Sequence, residues 1–110
     1  MPQRFMVELS LNADADLDAI HAYVSAHRSI EQADKLIGDL LAKAAALDTF
    51  PLRGPVPGEL AALGEQNYRQ VSLPPYRLFY EVIDTVVLIS LIVDGRRDLP
   101  ELLARRLLGR

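Results

Sequence analysis

From Val86 to Val93 the chain reads Val-Val-Leu-Ile-Ser-Leu-Ile-Val, eight residues with Ser90 as the sole polar one. A run this short and this β-branched is a strand, far too short to span a bilayer, and it has no polar face to turn towards water. It belongs inside a sheet with little of either face exposed. Its neighbours in sequence are strands as well. Tyr68–Leu73 and Tyr76–Ile83 flank a Pro74-Pro75 break, and a tight turn near Asp84-Thr85 leads into the apolar run, so the three form an antiparallel meander.

The first half of the chain has a different period. Phe5, Val7, Leu9 and Leu11 alternate with Arg4, Met6, Glu8 and Ser10, which predicts an N-terminal strand with one buried face. Asn12 or Asp14 then caps a helix whose apolar positions are Ala13, Leu17, Ile20 and Val24, with an Asp-rich, solvated opposite face. Ser29-Ile30-Glu31-Gln32 reads as a capping box that starts a second helix, with an apolar stripe through Ala33, Leu36, Ile37, Leu40, Leu41, Ala44 and Leu47. Phe50-Pro51 ends that helix, because proline lacks the amide and restricts the residue before it. Residues 51–66 hold three prolines and three glycines, a turn-rich connection with room for one helical turn near Glu59. Asp98-Leu99-Pro100-Glu101 begins a short terminal helix.

Strand, antiparallel helix hairpin, three-strand meander and helix give an α+β fold, with the helices expected on one face of the sheet. At 110 residues, half of them apolar, one core and one domain over residues 1–110 are expected. Cysteine is absent, and His21 and His27 have no carboxylate at a recognised ligand spacing, so neither a metal nor another cofactor is expected. Met1 to Phe5 lacks an apolar signal segment, which predicts a cytoplasmic protein that does not enter membranes. The net charge of −3 is uneven: residues 1–66 carry ten acids and five bases, residues 67–110 five acids and seven arginines. The chain as a whole lacks the positive field that steers binding to nucleic acid.

Four phrases, taken in order, resemble the RelE/ParE toxins of type II toxin–antitoxin systems over nearly the whole chain. They are Asp16-Leu17-Asp18-Ala19-Ile20 with Tyr23, Phe50-Pro51 with Gly54, Tyr76-Arg77-Leu78-Phe79-Tyr80-Glu81-Val82, and Asp94-Gly95-Arg96-Arg97-Asp98-Leu99-Pro100. The resemblance implies a cognate antitoxin that folds over the toxin, a toxin–antitoxin hetero-oligomer, and one of two activities. RelE-like members cut messenger RNA in the ribosome; ParE-like members poison DNA gyrase. On the RelE-like reading, Arg69, Arg77 and Arg97 match the basic residues around the scissile phosphate. The tyrosine expected in the terminal helix falls near Leu103, and Arg96 replaces a histidine or lysine. Arginine is too strongly basic to move the protons that RNA cleavage requires, Lys35 and Lys43 lie on the second helix, and Tyr68, Tyr76 and Tyr80 remain as substitute acids. The Asp94–Leu103 phrase resembles the ParE-like branch, and the acidic net charge suits a protein target better than a ribosomal one.

Arg69, Arg77, Tyr80, Asp94, Arg96 and Arg97 are therefore the candidates for contacting a target or antitoxin, and the three matched arginines the catalytic suspects of the ribonuclease alternative. A third alternative is a harmless antitoxin-binding regulatory module. Each candidate also has a structural reading: Arg77 in a surface pair with Glu81, Arg69 covering apolar surface while bonding a carbonyl or carboxylate, and Arg96 and Arg97 neutralising Asp94 and Asp98. Tyr23 is expected between the helices and Tyr80 in the sheet core. Arg105, Arg106 and Arg110 suit the C-terminal end of the last helix.

Overall fold

The computed structural model describes residues 4–109. In chain order the elements are β1 (Met6–Leu9), α1 (Leu11–His27), α2 (Ile30–Ala45), α3 (Gly58–Ala61), β2 (Tyr68–Leu73), β3 (Tyr76–Ile83), β4 (Val86–Asp94) and α4 (Leu99–Leu107). Two 3-10 turns, Ala46–Asp48 and Pro51–Arg53, lie between α2 and α3. The sheet order is β1-β4-β3-β2, with β1 parallel to β4 and the other two pairs antiparallel. The meander therefore forms as its pattern predicts, and the N-terminal strand turns it into a mixed sheet.

The boundary between β1 and α1 falls earlier than the alternation suggested. Ser10, not Asn12 or Asp14, caps α1, its hydroxyl accepting from the Ala13 amide at 3.0 Å. Leu11 is the first helical residue and is 90 % exposed, so it does not share the buried side of Phe5, Val7 and Leu9. Ser29 caps α2 in the same way through the Gln32 amide at 3.0 Å, while the Gln32 side chain meets the Ser29 hydroxyl and not its amide. The α-helix ends at Ala45, ahead of Phe50-Pro51, and tightens into a 3-10 turn. Asp98 stands at the N-cap of α4 without a side-chain cap bond.

The helices cover both faces of the sheet, not one. Leu17, Leu40, Ala44 and Leu47 of the hairpin side pack with Leu78, Tyr80, Val87, Ile89 and Ile92. On the opposite face Leu60 of α3 and Leu99, Leu102 and Leu103 of α4 pack with Phe79, Leu91 and Val93. Each fully buried leucine contributes about 1.5–3 kcal/mol relative to exposure, so both layers are needed.

A β-bulge distributes β4 between them. Phe79 pairs with Leu91 but Tyr80 with Ile89, leaving Ser90 unpaired. Without that extra residue, 87, 89, 91 and 93 would share one face; with it, Leu91 and Val93 turn away from the hairpin. The apolar run is thus two half-strands of opposite orientation, joined at its single polar residue.

Because β1 has four residues and β4 has nine, β1 leaves the second half of β4 uncovered. Side chains occupy that edge. Asp16 of α1 accepts from the Ile92 amide at 3.0 Å, and Arg106 of α4 donates to the Ser90 carbonyl at 3.3 Å. The two side chains also bond each other at 3.0 and 2.9 Å. Asp16 is therefore withdrawn from the solvated acidic face predicted for α1.

Candidate functional site

A groove of about 1020 Å³ lies between α1, the start of α2 and the Tyr76 and Asp94 ends of β3 and β4. Ile20, Val24, Leu36 and Ile92 give it apolar walls. Tyr23, 63 % exposed, stacks on His27 with ring centroids 4.1 Å apart, instead of packing between the helices. The His27 Nδ1 lies 2.9 Å from the Tyr23 carbonyl and donates to it, which holds the ring over helix α1 beside Tyr23.

Arginines gather at one end. The Arg96 guanidinium and amide donate to the Asp94 carboxylate at 2.6–3.0 Å, which holds the Asp94 carboxyl below the usual range and raises Arg96. Arg97 and Arg28 also line the groove and are exposed, and neither forms an ion pair among the described residues. Burial, then the charge of Asp94, raises the Tyr76 phenol, so at neutral pH it stays protonated. The groove offers an apolar floor, aromatic edges and two unneutralised cations, features suited to an amphipathic segment with acidic residues.

Arg69 lies on the hairpin side of the sheet, paired in register with Tyr80. Its Nη1 donates to the carbonyls of Leu52 and Gly54 at 3.2 and 2.8 Å. Tyr80 is wholly buried; its hydroxyl donates to the Pro51 carbonyl at 2.6 Å and accepts from the Gly54 amide at 3.2 Å. Gly54 is indispensable to this packing, since a methyl there would overlap the Gln70 carbonyl and the Tyr80 hydroxyl.

Arg77 lies on the other face. It donates to both Glu59 oxygens at 2.7 and 3.0 Å and to Gln70, with its guanidinium 4.8 Å from the Phe79 ring centroid. Its partner is Glu59, from the short helix after the Pro/Gly-rich loop, and not Glu81. The Glu59 carboxyl is held below its ordinary value by hydrogen bonding to Arg77. Gly95 lets the Arg77 stem pass, because a β-carbon there would come within 2.7 Å of it.

Residues 7–99 match the family described as ParE toxin of type II toxin-antitoxin system, parDE. The chain belongs to the ParE toxin family.

Two solved structures have the same fold as this ParE-family chain. A chain of the chromosomal ParDE toxin–antitoxin system from P. aeruginosa aligns with a TM-score of 0.72 and 20 % identity, covering 84 % of this chain and 97 % of that one. A chain of the RelBE2 toxin–antitoxin complex from Mycobacterium tuberculosis aligns with a TM-score of 0.60 and 21 % identity, covering 83 % and 91 %. No curated protein matches the sequence significantly.

Within this ParE-family toxin the six candidate residues fall into three places. Asp94, Arg96 and Arg97 share the groove end. Arg69 and Tyr80 fix the Pro51–Gly54 segment from the hairpin side, and Arg77 is bound to Glu59 on the opposite face. The three arginines matched to a phosphate site are not brought together. Sequence reasoning missed Tyr23, His27 and Arg28 as groove residues; the Tyr23/His27 spacing of four on one helix face was the available signal. Among the described residues, no three His, Cys, Asp or Glu side chains are placed to hold a metal ion.

Proposed function

We propose that this toxin acts in the cytoplasm by binding DNA gyrase and stalling its cleavage–religation cycle, and that a cognate antitoxin holds it silent. The observation that carries the target reading is the separation of Arg69 from Arg77. An RNA-cleaving centre needs cations converging on one phosphate together with groups able to move protons. Here one guanidinium faces main-chain carbonyls and the other faces Glu59 across the sheet. Both are committed to packing, which supports a toxin that acts through a binding surface.

The groove between α1 and the β3/β4 ends supports the antitoxin part of the reading. An amphipathic antitoxin segment would bury Ile20, Val24 and Ile92 and place carboxylates beside Arg28 and Arg97. That two of this chain's structural neighbours come from toxin–antitoxin assemblies supports the same partner class.

The deciding experiment is a gyrase supercoiling and cleavage-complex assay with the purified protein, beside a translation-coupled messenger cleavage assay on the same preparation. Accumulated cleaved DNA with intact messenger is the expected result. Cut messenger with unaffected gyrase would replace the reading with a ribonuclease.

A further inference from the structure

The second half of β4 has no strand on its outer side, and that side opens onto the groove. Pairing with β1 stops at Leu9 opposite Ile89, and the last backbone bond from that side runs from the Ser10 amide to the Ile89 carbonyl at 2.9 Å. Further along, the Ile92 amide donates to the Asp16 carboxylate at 3.0 Å, so the edge faces α1 there. Asp16, Ile92, Val93 and Asp94 all line the groove. In a strand the amide and carbonyl of one residue point to the same side, and the next residue but one repeats them. The Ile92 carbonyl and the Asp94 amide therefore face this edge too.

Neither of these two groups has a partner among the described residues, whereas the Ser90 carbonyl is taken by Arg106 and the Asp94 carbonyl by the Arg97 amide. Ile92 is only 3 % exposed, so its carbonyl has little access to water, and an unpaired buried carbonyl carries a cost that a bound amide removes. A carbonyl and an amide on either side of Val93 are the acceptor and donor that an added strand bonds. A bound helix spends its own backbone groups internally and leaves both open.

The side chains around the edge define what kind of strand fits. Asp16 is bonded to Arg106 and Asp94 to Arg96, while Arg28 and Arg97 are exposed and form no ion pair among the described residues. The charge left over in the groove is thus positive, and Ile20, Val24 and Leu36 face it with apolar surface. Successive side chains of an extended segment point to opposite sides, so a segment that alternates acidic and apolar residues answers both features at once.

We propose that the antitoxin segment in this groove is an extended strand of alternating acidic and apolar residues, which continues the sheet along the Ile92–Asp94 edge where β1 stops. The proposal rests on the reading of the groove as the antitoxin site. β1 and the antitoxin then share one edge of β4, each covering part of it.

The test uses the complex of this toxin with the antitoxin encoded beside it and compares Asp94→Pro with Asp94→Ala. Both variants lose the carboxylate, but only proline also lacks the amide, and proline is tolerated where a strand amide faces away from its neighbour. Antitoxin affinity and the Tm of each free variant are measured. On the wild-type complex, nuclear Overhauser contacts to the Asp94 amide identify the antitoxin residues beside it, and their Cα chemical shifts report their conformation. The expected result is roughly tenfold weaker binding by the proline variant than by the alanine variant at equal Tm, with extended-strand shifts beside the Asp94 amide. Helical shifts there, or equal affinity of the two variants, overturn the strand while leaving the groove as the antitoxin site. Where proline lowers the Tm, the shifts of the wild-type complex decide alone. An antitoxin that binds away from Arg28, Ile92 and Asp94, or does not bind, overturns the groove reading and the proposal together.

Discussion

Asp16 on α1 and Arg106 on α4 bond each other through two hydrogen bonds at 3.0 and 2.9 Å, although 90 residues separate them. Each also satisfies a backbone group of β4 that β1 does not reach. The pair ties the hairpin layer to the α4 layer around an open strand edge. The Arg106 Nε is buried without a partner, so the guanidinium is held by its two terminal nitrogens.

Arg106→Met should destabilise the fold by about 2 kcal/mol, less than a fully buried pair because both side chains keep some solvent contact. The loss comes from the Asp16 charge left beside β4 and from the unpaired Ser90 carbonyl. Urea unfolding of the two proteins checks it, and an unchanged midpoint would show that water replaces the guanidinium at no cost.

Gly54→Ala should destabilise more, by about 3 kcal/mol or above, because the methyl collides with a carbonyl and a buried hydroxyl, neither of which can yield cheaply. Tyr80→Phe isolates part of the same effect. It leaves the Pro51 carbonyl and Gly54 amide without their partner and should cost about 1–3 kcal/mol. Thermal unfolding ranks the two, and faster amide exchange at Gly54 in the phenylalanine variant locates the damage.

Acidification should weaken the Arg77–Glu59 pair. The folded carboxyl is depressed by its hydrogen bonds to Arg77, so its stabilisation is complete above the ordinary glutamate value of about 4.3 and is lost as pH falls through the depressed folded value. The stability difference between wild type and Glu59→Gln should be constant from pH 7 to 5 and shrink below that. A difference that persists at pH 3 would assign the effect to shape instead of charge.

Glu81 behaves in the opposite sense. Burial, then the charge of Glu65, raises its carboxyl above the ordinary value, so the ionised form is disfavoured by folding and the associated stability is lost as pH rises through the folded value. Glu81→Gln should therefore stabilise the protein modestly at pH 7 and not at pH 4. Chemical denaturation at the two pH values is sufficient to see it.

The residues that were legible in the sequence are those whose neighbours are local. Strands 68–73, 76–83 and 86–93 follow from β-rich runs broken by Pro74-Pro75 and Asp84-Thr85, the last of them unbroken in its apolar character, and the helices from their apolar stripes and, for the second, the Ser29 cap. Leu11 was misplaced because its alternation with Leu9 runs on past Ser10, where the backbone has already turned helical. The helical turn near Glu59 and the terminal helix were legible, but that they cover the sheet face opposite the hairpin was not, because a stripe of apolar residues does not say which face it packs on. Glu59 is 18 residues from Arg77, and periodicity carries no information about pairing at that range. The groove end of the candidate site, Asp94 to Arg97, was recognisable because turn residues at a strand end are local too. Its helical wall at Tyr23 and His27 depends on how α1 lies over β4.

Ser90 has one further consequence. Because the inserted residue lets one strand supply side chains to two separate hydrophobic layers, loss of β4 from the sheet removes core residues from both at once. A cavity cut under α4, as by Leu103→Ala, is therefore expected to speed amide exchange in the distant α1–α2 hairpin as well as in α4, whereas faster exchange confined to α4 would show that the last helix is shed first.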